Sequence, residues 1–306
     1  MRICDSEKAA AKTKDPAIAE VLENISEKFL REVVETISIP RHYFAEYQNN
    51  QFVAGWIAEQ LQSYGYKPFF QGEYKNVVSF SSDNIQEPYI LIGAHYDSVP
   101  GTPGADDNAS AVAALLGCAS AVSEYKNRAH VCFAAFNREE DDLIGSADFV
   151  DNYLPKAGIT ICQAHVLEMV GYCSHIPGSQ HVPPGMPIKI KDTGDFLGLI
   201  GNNDSNSLID DILEQAKSYL PDFPVTGLKV YLGMEKFFYH LRRSDHAPFW
   251  KKGIPALMWT DTSEFRNPHY HKESDTPDTL DYAFLRCVTQ LLLLRALKPT
   301  CNIKSE

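Results

Sequence analysis

Long apolar runs are absent from this sequence of 306 residues, and no stretch approaches the roughly 20 apolar residues that a membrane-spanning helix needs. Residues 1–14 are polar and charged, unlike a secretory signal. Basic residues are also scarce, because 28 Lys and Arg stand against 40 Asp and Glu and leave a net charge of −12. Since nucleic-acid binding relies on clustered Lys and Arg, we expect a soluble chain with neither a nucleic-acid nor a membrane partner.

Cysteines are few, and none has the spacing of a zinc finger or a redox motif. The seven are scattered along the chain without a C-x-x-C pair. This pattern favours free thiols in a reducing compartment and therefore predicts cytoplasmic residence. A Cys162–Cys173 disulfide and secretion through a removed signal peptide both stay open.

The apolar content is sufficient for a large folded core, because 44% of the residues are hydrophobic and 22% are charged. Short apolar runs typical of strands alternate with helical patterns from residue 76 onward. This alternation predicts an α/β fold with a mixed, largely parallel central sheet flanked by helices. The strand candidates are residues 76–80, 89–95, 130–136, 164–170, 226–232 and 254–260, and the helix candidates are residues 109–124, 205–219 and 279–297.

The domain organisation that we predict is a single domain over residues 1–306. Its first part, residues 1–65, contains two amphipathic helices packed on a core of residues 76–298. One helix begins at Pro16, after the N-cap Asp15, and ends before Pro40; the other runs from near Asn50 to Gly65. Residues 171–191 are rich in Pro, Gly and Ser, and we interpret them as a long surface loop beside a substrate pocket.

Polar side chains stand where several predicted strands end. His95 closes one strand, with Asp97 two residues on; Glu139 and Glu140 follow another, and Glu168 lies near the end of a third. Ligands of open α/β sheets gather at the carboxyl ends of the strands. We therefore expect these five side chains to lie close together.

Two further candidates are less distinctive on their own. Asp107 stands in a turn before a helix, where an N-cap role is equally plausible, and His271 lies in a loop, where a lone histidine is usually a surface residue. Five converging carboxylates, however, would repel one another unless cations compensated their charge. A mixture of imidazole and carboxylate ligands suits zinc, with manganese or cobalt as possible substitutes.

Five short motifs follow one another between residues 76 and 282: HYD at 95–97, GADDNAS at 104–110, the Glu139-Glu140 pair followed by Gly145-Ser146, SDH at 244–246, and His271 with Asp275-Thr276. Together and in this order they resemble the M28 family of zinc aminopeptidases. The resemblance implies the zinc-exopeptidase fold, which is phosphorylase/hydrolase-like, with residues 76–298 as the catalytic core.

The resemblance also implies two zinc ions per chain and assigns their ligands. His95 would bind one ion and His271 the other, Asp107 would bridge both, and Glu140 and Glu168 would each hold one. This sequence departs from the usual pattern at Glu168, where most members have Asp, and at Ala111, where Gly is common. The first departure leaves the occupancy of the second metal site open and suggests a divergent branch.

Two carboxylates receive roles other than metal binding from the same resemblance. Asp97 would accept a hydrogen bond from the far nitrogen of His95 and so fix its tautomer. Glu139 would be the general base for an activated water that attacks the peptide bond. The expected substrate is a peptide or aminoacyl compound with a free N-terminus, because its amine would sit among the acidic ligands.

Several points remain open in the sequence. The main alternative is a glutaminyl-cyclase-like acyltransferase with a single zinc, followed by a non-catalytic M28-like binding protein and by a metallo-deacylase or carboxypeptidase acting on small amides. The donor to the developing oxyanion could be Tyr239, His240, Arg243 or His246. Aromatic residues that could line a side-chain pocket are Phe44, Trp250, Trp259 and Phe265.

Overall fold

A mixed sheet of nine strands runs through the computed structural model, which describes residues 1–125 and 129–298. In chain order the strands are β1 (Arg2–Asp5), β2 (Phe69–Gln71), β3 (Asn76–Phe80), β4 (Tyr89–His95), β5 (Val131–Phe136), β6 (Ile161–Glu168), β7 (Leu197–Gly201), β8 (Val225–Lys229) and β9 (Ala256–Thr260). Across the sheet their order is β1-β8-β7-β9-β6-β4-β5-β3-β2.

Helices cover the sheet on both faces. They are α1 (Pro16–Glu23), α2 (Glu27–Ile37), α3 (Tyr47–Ser63), α4 (Ala111–Glu124), α5 (Ile144–Asp148), α6 (Leu154–Ala157), α7 (Asn206–Tyr219), α8 (His246–Lys251) and α9 (Tyr282–Leu297). The larger core cluster lies between the sheet and α2, α4, α7 and α9, and a second cluster lies under α6, α8 and residues 149–153 before α6. No helix within residues 1–125 and 129–298 combines the length and hydrophobicity needed to cross a bilayer.

The central strands are parallel, and this determines where the polar residues at their ends meet. β5 and β6 both pair with β4 in parallel, and β9 pairs with β6 in the same direction. These strands are almost completely buried, as expected for strands covered on both faces. The carboxyl ends of these four strands therefore lie side by side at the same end of the sheet. The α/β architecture predicted from the sequence is confirmed.

Several local predictions were wrong. The helix expected from Pro16 to Pro40 is two helices, because the Ser26 hydroxyl accepts a hydrogen bond from the Phe29 N–H and starts α2 as a new helix. The strands β1, β2 and β7 and the helices α5, α6 and α8 were not predicted. β7 has the sequence LGLIG, whose two glycines weaken the strand pattern.

The segment of residues 171–191 is a long loop, as the sequence predicts. Residues 171–191 contain no helix or strand, apart from a single bridge between Ser174 and Gly194.

Cys173 is a free thiol, so the disulfide considered between Cys162 and Cys173 does not form. Cys162 is nevertheless disulfide-bonded, which corrects the expectation of a free thiol there. Cytoplasmic residence therefore stays a prediction.

Candidate metal centre

All seven residues singled out in the sequence converge beyond the carboxyl ends of β4, β5 and β6. His95 is the last residue of β4 and Glu168 the last of β6, while Glu139 follows β5 by three residues. Asp107 lies in the turn before α4, and His271 comes from the loop after β9. Except for the partly exposed His271, these side chains are almost completely buried.

One group of ligand atoms surrounds His95. Its Nε2 atom lies 3.3 Å from Asp107 Oδ1 and 3.5 Å from Glu168 Oε2. The three atoms that these residues offer lie within 4.8 Å of one another, which is the spacing of ligands around a single ion. This geometry can hold one metal ion.

A second group surrounds His271 and shares Asp107 with the first. His271 Nε2 lies 3.1 Å from Asp107 Oδ2 and 3.5 Å from Glu140 Oε2. Asp107 thus presents one oxygen to each histidine, which is the arrangement that a bridging carboxylate needs. A third possible group, formed by His95, Glu139 and Glu140, lacks the shared aspartate. We consider it the weaker alternative because it leaves His271 unused.

Unpaired buried atoms also indicate a place for cations. His95 Nε2, Asp107 Oδ1 and Glu140 Oε1 are inaccessible to solvent and lack a hydrogen bond of good geometry within the described part of the chain. Buried polar atoms are almost always paired, so such orphans need an explanation. His95 Nε2 and Asp107 Oδ1 lie 3.3 Å apart, and Glu140 shares a group of possible ligand atoms with each of these residues. Coordinated ions would satisfy all three atoms.

The electrostatics lead to the same conclusion. Burial, together with the charge of Glu168, raises the pKa of Glu139 well above its usual range, and burial and the charge of Asp107 do the same for Glu140. Burial lowers the pKa of His95, but the carboxylates of Glu139 and Glu168 outweigh this and hold it well above normal. Without metal the cluster therefore compensates its negative charge by retaining protons. Divalent cations would remove that need.

Asp97 occupies the position expected for a residue that orients the cluster. Its Oδ1 lies 3.4 Å from His95 Nδ1, on the side of the ring opposite Asp107. Its two oxygens also accept hydrogen bonds from the backbone N–H groups of Glu139 (3.2 Å) and Glu140 (3.3 Å). His95 Nδ1 also lies 3.2 Å from the backbone carbonyl oxygen of Asp97. The carbonyl and the carboxylate of Asp97 together therefore position His95 and the loop after β5.

The turn that carries Asp107 is held by two residues of the quoted motifs, Gly104 and Asp275, whose roles were not recognised from the sequence. Asp275 accepts hydrogen bonds from the backbone N–H groups of Asp106 (2.9 Å) and Asp107 (3.1 Å). Gly104 has a φ of 59°, and a Cβ there would lie 2.2 Å from the Asp107 carbonyl oxygen, so only glycine fits. The Asp275-Thr276 pair was part of the quoted motifs, but its role depends on contacts across 168 residues.

Arg41 is the most unexpected member of the site. Its guanidinium group is completely buried. Among the described residues it donates only to backbone carbonyls, including those of Tyr96 (2.6 Å) and Gly104 (2.9 Å). Burial lowers its pKa to about 10, against the attraction of Asp107 and Asp275. Arg41 therefore adds a fixed positive charge behind the cluster and ties β4 to the Asp107 turn. Its position in an irregular segment gave no sequence signal.

The SDH motif contacts the cluster through a hydrogen bond from Ser244. The Ser244 hydroxyl donates to Glu168 Oε2 at 2.7 Å, and Ser146 donates to Asp245. His246 is fully buried, and its Nε2 lies 2.9 Å from the Leu241 carbonyl oxygen. His246 is therefore a packing residue and not an oxyanion donor.

A phenol that was not among the sequence candidates stands beside the cluster. The Tyr270 ring stacks on His271 with centroids 3.7 Å apart, and its hydroxyl accepts a hydrogen bond from Arg243 at 2.6 Å. Arg243 is also paired with Glu264. Because the Tyr270 hydroxyl oxygen is the acceptor in this hydrogen bond, its O–H proton can be donated to a bound carbonyl oxygen. Arg243 thus acts on the cavity through Tyr270.

The aromatic residues considered for a side-chain pocket separate into two groups. Phe265 lines the cavity next to the cluster. Trp259 is completely buried and donates to His165 Nδ1, Trp250 packs on His246, and Phe44 is 64% exposed. The last three therefore do not line the cavity.

Comparisons with known proteins find similar sequences and a similar fold. The model of Peptidase family M28 matches residues 76–185 and 197–295. An uncharacterized protein of Escherichia coli, YfbL, is 36% identical over 254 residues, or 78% of this chain and 74% of that protein. Aminopeptidase YwaD of Bacillus subtilis is 36% identical over 92 residues, which are 29% of this chain and 20% of that enzyme.

Two solved structures show the same fold at lower identity. The LapA aminopeptidase of Legionella pneumophila superposes with a TM-score of 0.74 at 19% identity, over 95% of this chain and 76% of that one. The glutaminyl cyclase of Porphyromonas gingivalis superposes with a TM-score of 0.66 at 19% identity, over 89% and 98%. The fold is thus shared by peptidases and cyclases, and the residues of the site must distinguish them.

Proposed function

This chain belongs to peptidase family M28, and we propose that it is an aminopeptidase that hydrolyses N-terminal peptide bonds with two zinc ions. The observation that carries the proposal is Asp107, which presents one carboxylate oxygen to each of two histidines, at 3.3 Å and 3.1 Å. A single-metal enzyme has no need for a carboxylate shared in this way. Similarity to proteins named zinc metalloproteases and aminopeptidases supports the choice of metal and reaction.

The residues that would hold the metals follow from the two groups. His95, Asp107 and Glu168 would form one site, and His271, Asp107 and Glu140 the other. Imidazole nitrogen and carboxylate oxygen are ligands that zinc accepts, and manganese or cobalt would fit the same donors. Bound metals of this kind lower the pKa of a water molecule and polarise the oxygen of a substrate carbonyl.

The remaining residues supply proton transfer and positioning. Glu139 would accept a proton from the attacking water and return it to the leaving amine, acting first as general base and then as general acid. Its backbone N–H donates to Asp97, which keeps the carboxylate at the edge of the cluster. The acidic surroundings would attract the α-ammonium group of the substrate and restrict cleavage to the first residue.

The requirement for a free amine gives a direct test of the proposed reaction. We expect leucine 4-nitroanilide to be hydrolysed and its N-acetyl derivative to be hydrolysed at least 100-fold more slowly, because acetylation removes the charge that the acidic cluster attracts. An N-terminal glutamine peptide should release free glutamine. Formation of pyroglutamate instead, or equal rates for the acetylated compound, would favour the cyclase or the deacylase alternative.

Ser244 provides a test of the metal site around His95. The Ser244→Ala variant removes the hydrogen bond to Glu168 Oε2, which restrains the longer side chain of a Glu ligand. We expect the affinity for the metal that His95 and Glu168 would hold to fall by about 10- to 100-fold. Titration of the apoprotein with zinc measures this, and Ser207→Ala, an exposed serine of α7, is the matched control. Equal affinity in both variants would show that Glu168 does not depend on Ser244.

A further inference from the structure

An exposed apolar patch lies on the segment of residues 231–242, between β8 and α8. Leu232 and Phe237 are 92% and 82% exposed, the largest values among the large hydrophobic side chains of the described residues, and Tyr239 is 69% exposed. Single exposed apolar side chains are normal on a protein surface, but a group of them in one short segment marks a contact site. We call these three side chains the 231–242 patch.

The segment that carries the patch is itself well packed. Met234 and Phe238 lie against Val230 and Leu241 in a small apolar cluster. Backbone hydrogen bonds close two 3₁₀ turns, one from the Phe237 N–H to the Met234 carbonyl oxygen (3.0 Å) and one from the Leu241 N–H to the Phe238 carbonyl oxygen (3.1 Å). The apolar side chains that alternate with the patch are thus used for packing, and they hold the patch outward.

Leu232 has a backbone conformation that is unfavourable for a leucine. Its φ is 58°, in the left-handed region that residues with a Cβ rarely adopt. Residues held in such conformations cluster at functional surfaces, where another contact compensates for the strain. Because the Leu232 side chain is almost fully exposed, its packing within the described part of the chain provides little compensation. Contact with a second molecule would provide it.

The area of the patch matches the apolar centre of a protein interface. An aromatic side chain has a surface of about 200 Å², so Phe237 and Tyr239 together expose about 300 Å², and Leu232 raises this to about 400 Å². An interface of standard size covers about 800 Å² on each partner, and somewhat more than half of that area is apolar. The patch therefore supplies most of the apolar surface that one side of a stable dimer needs.

The charges beside the patch are of both signs. Glu235 and Lys236 are sequence neighbours within the segment, and Arg242 is exposed at its end. One carboxylate oxygen of Glu235 has no hydrogen-bond partner among the described residues, and Arg242 makes a long hydrogen bond of 3.4 Å to the Lys236 carbonyl oxygen. A two-fold axis between Glu235 and Lys236 would bring each of them opposite the other in a second copy. The segment is therefore complementary in charge to itself.

We propose that the 231–242 patch is the interface of a two-fold symmetric dimer of this chain, in which Glu235 of each copy pairs with Lys236 of the other. Two-fold homodimers are the commonest oligomers, and their interfaces use the same surface twice. An anionic lipid surface fits less well, since the net charge of −12 opposes it and Glu235 lies within the segment. The dimer does not depend on the proposed reaction. Tyr239 also lines the cavity at the metal centre, so the second copy lies beside the cavity.

Analytical ultracentrifugation of the full chain tests the dimer. We expect a reversible monomer–dimer equilibrium with a Kd of about 1–100 µM. Phe237→Ser and, independently, Leu232→Ser should raise the Kd at least about 100-fold, because each change occurs twice in a two-fold interface. Phe52→Ser on α3, where the side chain is 54% exposed, is the matched control and should keep the wild-type Kd. A chain that is monomeric at every concentration, or a dimer that both patch variants leave unchanged, would overturn the proposal.

Charge exchange identifies the second copy as the partner. Glu235→Lys places like charges across the axis and should weaken the dimer about tenfold, and adding Lys236→Glu should restore the Kd to within about threefold, because the pairs form again with the signs exchanged. A double variant as weak as Glu235→Lys would contradict the two-fold pairing. A monomer that cosediments with vesicles of phosphatidylcholine and phosphatidylglycerol, more strongly after Glu235→Lys, would assign the patch to a lipid surface and refute the dimer.

Discussion

Replacement of Glu139 with Gln is expected to lower kcat by about 10²- to 10⁴-fold and to leave both metals bound. The amide has the size of the carboxylate but cannot accept a proton from the attacking water. Glu139 is buried, and its backbone N–H is held by Asp97, so the substitution should not disturb the loop after β5. The measurement is steady-state kinetics together with the zinc content of the same preparation.

The control for this variant is Glu59→Gln, an exposed glutamate of α3 far from the cluster along the chain. It should behave as the wild type. A Glu139→Gln enzyme with full turnover would remove the proton-transfer role from this residue. Loss of one zinc in the variant would instead show that Glu139 is a ligand, as the weaker grouping with His95 and Glu140 implies.

Replacement of Asp107 with Asn is expected to abolish activity and to release both metals. Asp107 is common to the two groups, and an amide can offer only one oxygen where the carboxylate offers two. The backbone hydrogen bonds from Asp106 and Asp107 to Asp275 should persist, so the turn keeps its shape. Metal content after gel filtration and activity in excess zinc measure the two effects.

The matched control is Asp222→Asn, an exposed aspartate in the segment before β8. Retention of one full equivalent of zinc in the Asp107→Asn variant would show that the two sites do not share this residue. That outcome would contradict the bridged arrangement, although it would leave the identity of the family unchanged.

The part of the site that the sequence predicts is the part built from local patterns. The apolar runs of β4, β5 and β6 end in His95, the Glu139-Glu140 pair and Glu168, and parallel pairing brings these ends together. The helix break before Ser26 was missed because the apolar periodicity continues across it. β7 was missed because its two glycines lower strand propensity.

Other features of the site depend on contacts between distant segments and have no local signal. Arg41 binds backbone carbonyls that only the folded chain brings around it, and Tyr270 becomes significant only when it stacks on His271. Ser244 was quoted as part of a motif, but its hydrogen bond to Glu168 joins residues 76 positions apart.

The zinc content of the purified chain tests the central claim most directly. Inductively coupled plasma mass spectrometry of protein reconstituted with zinc and freed of excess metal should give two equivalents per chain, and Asp107→Asn should bring this value close to zero. A single equivalent that saturates the site in the wild type would contradict the shared-carboxylate centre and favour a one-metal enzyme of the cyclase type.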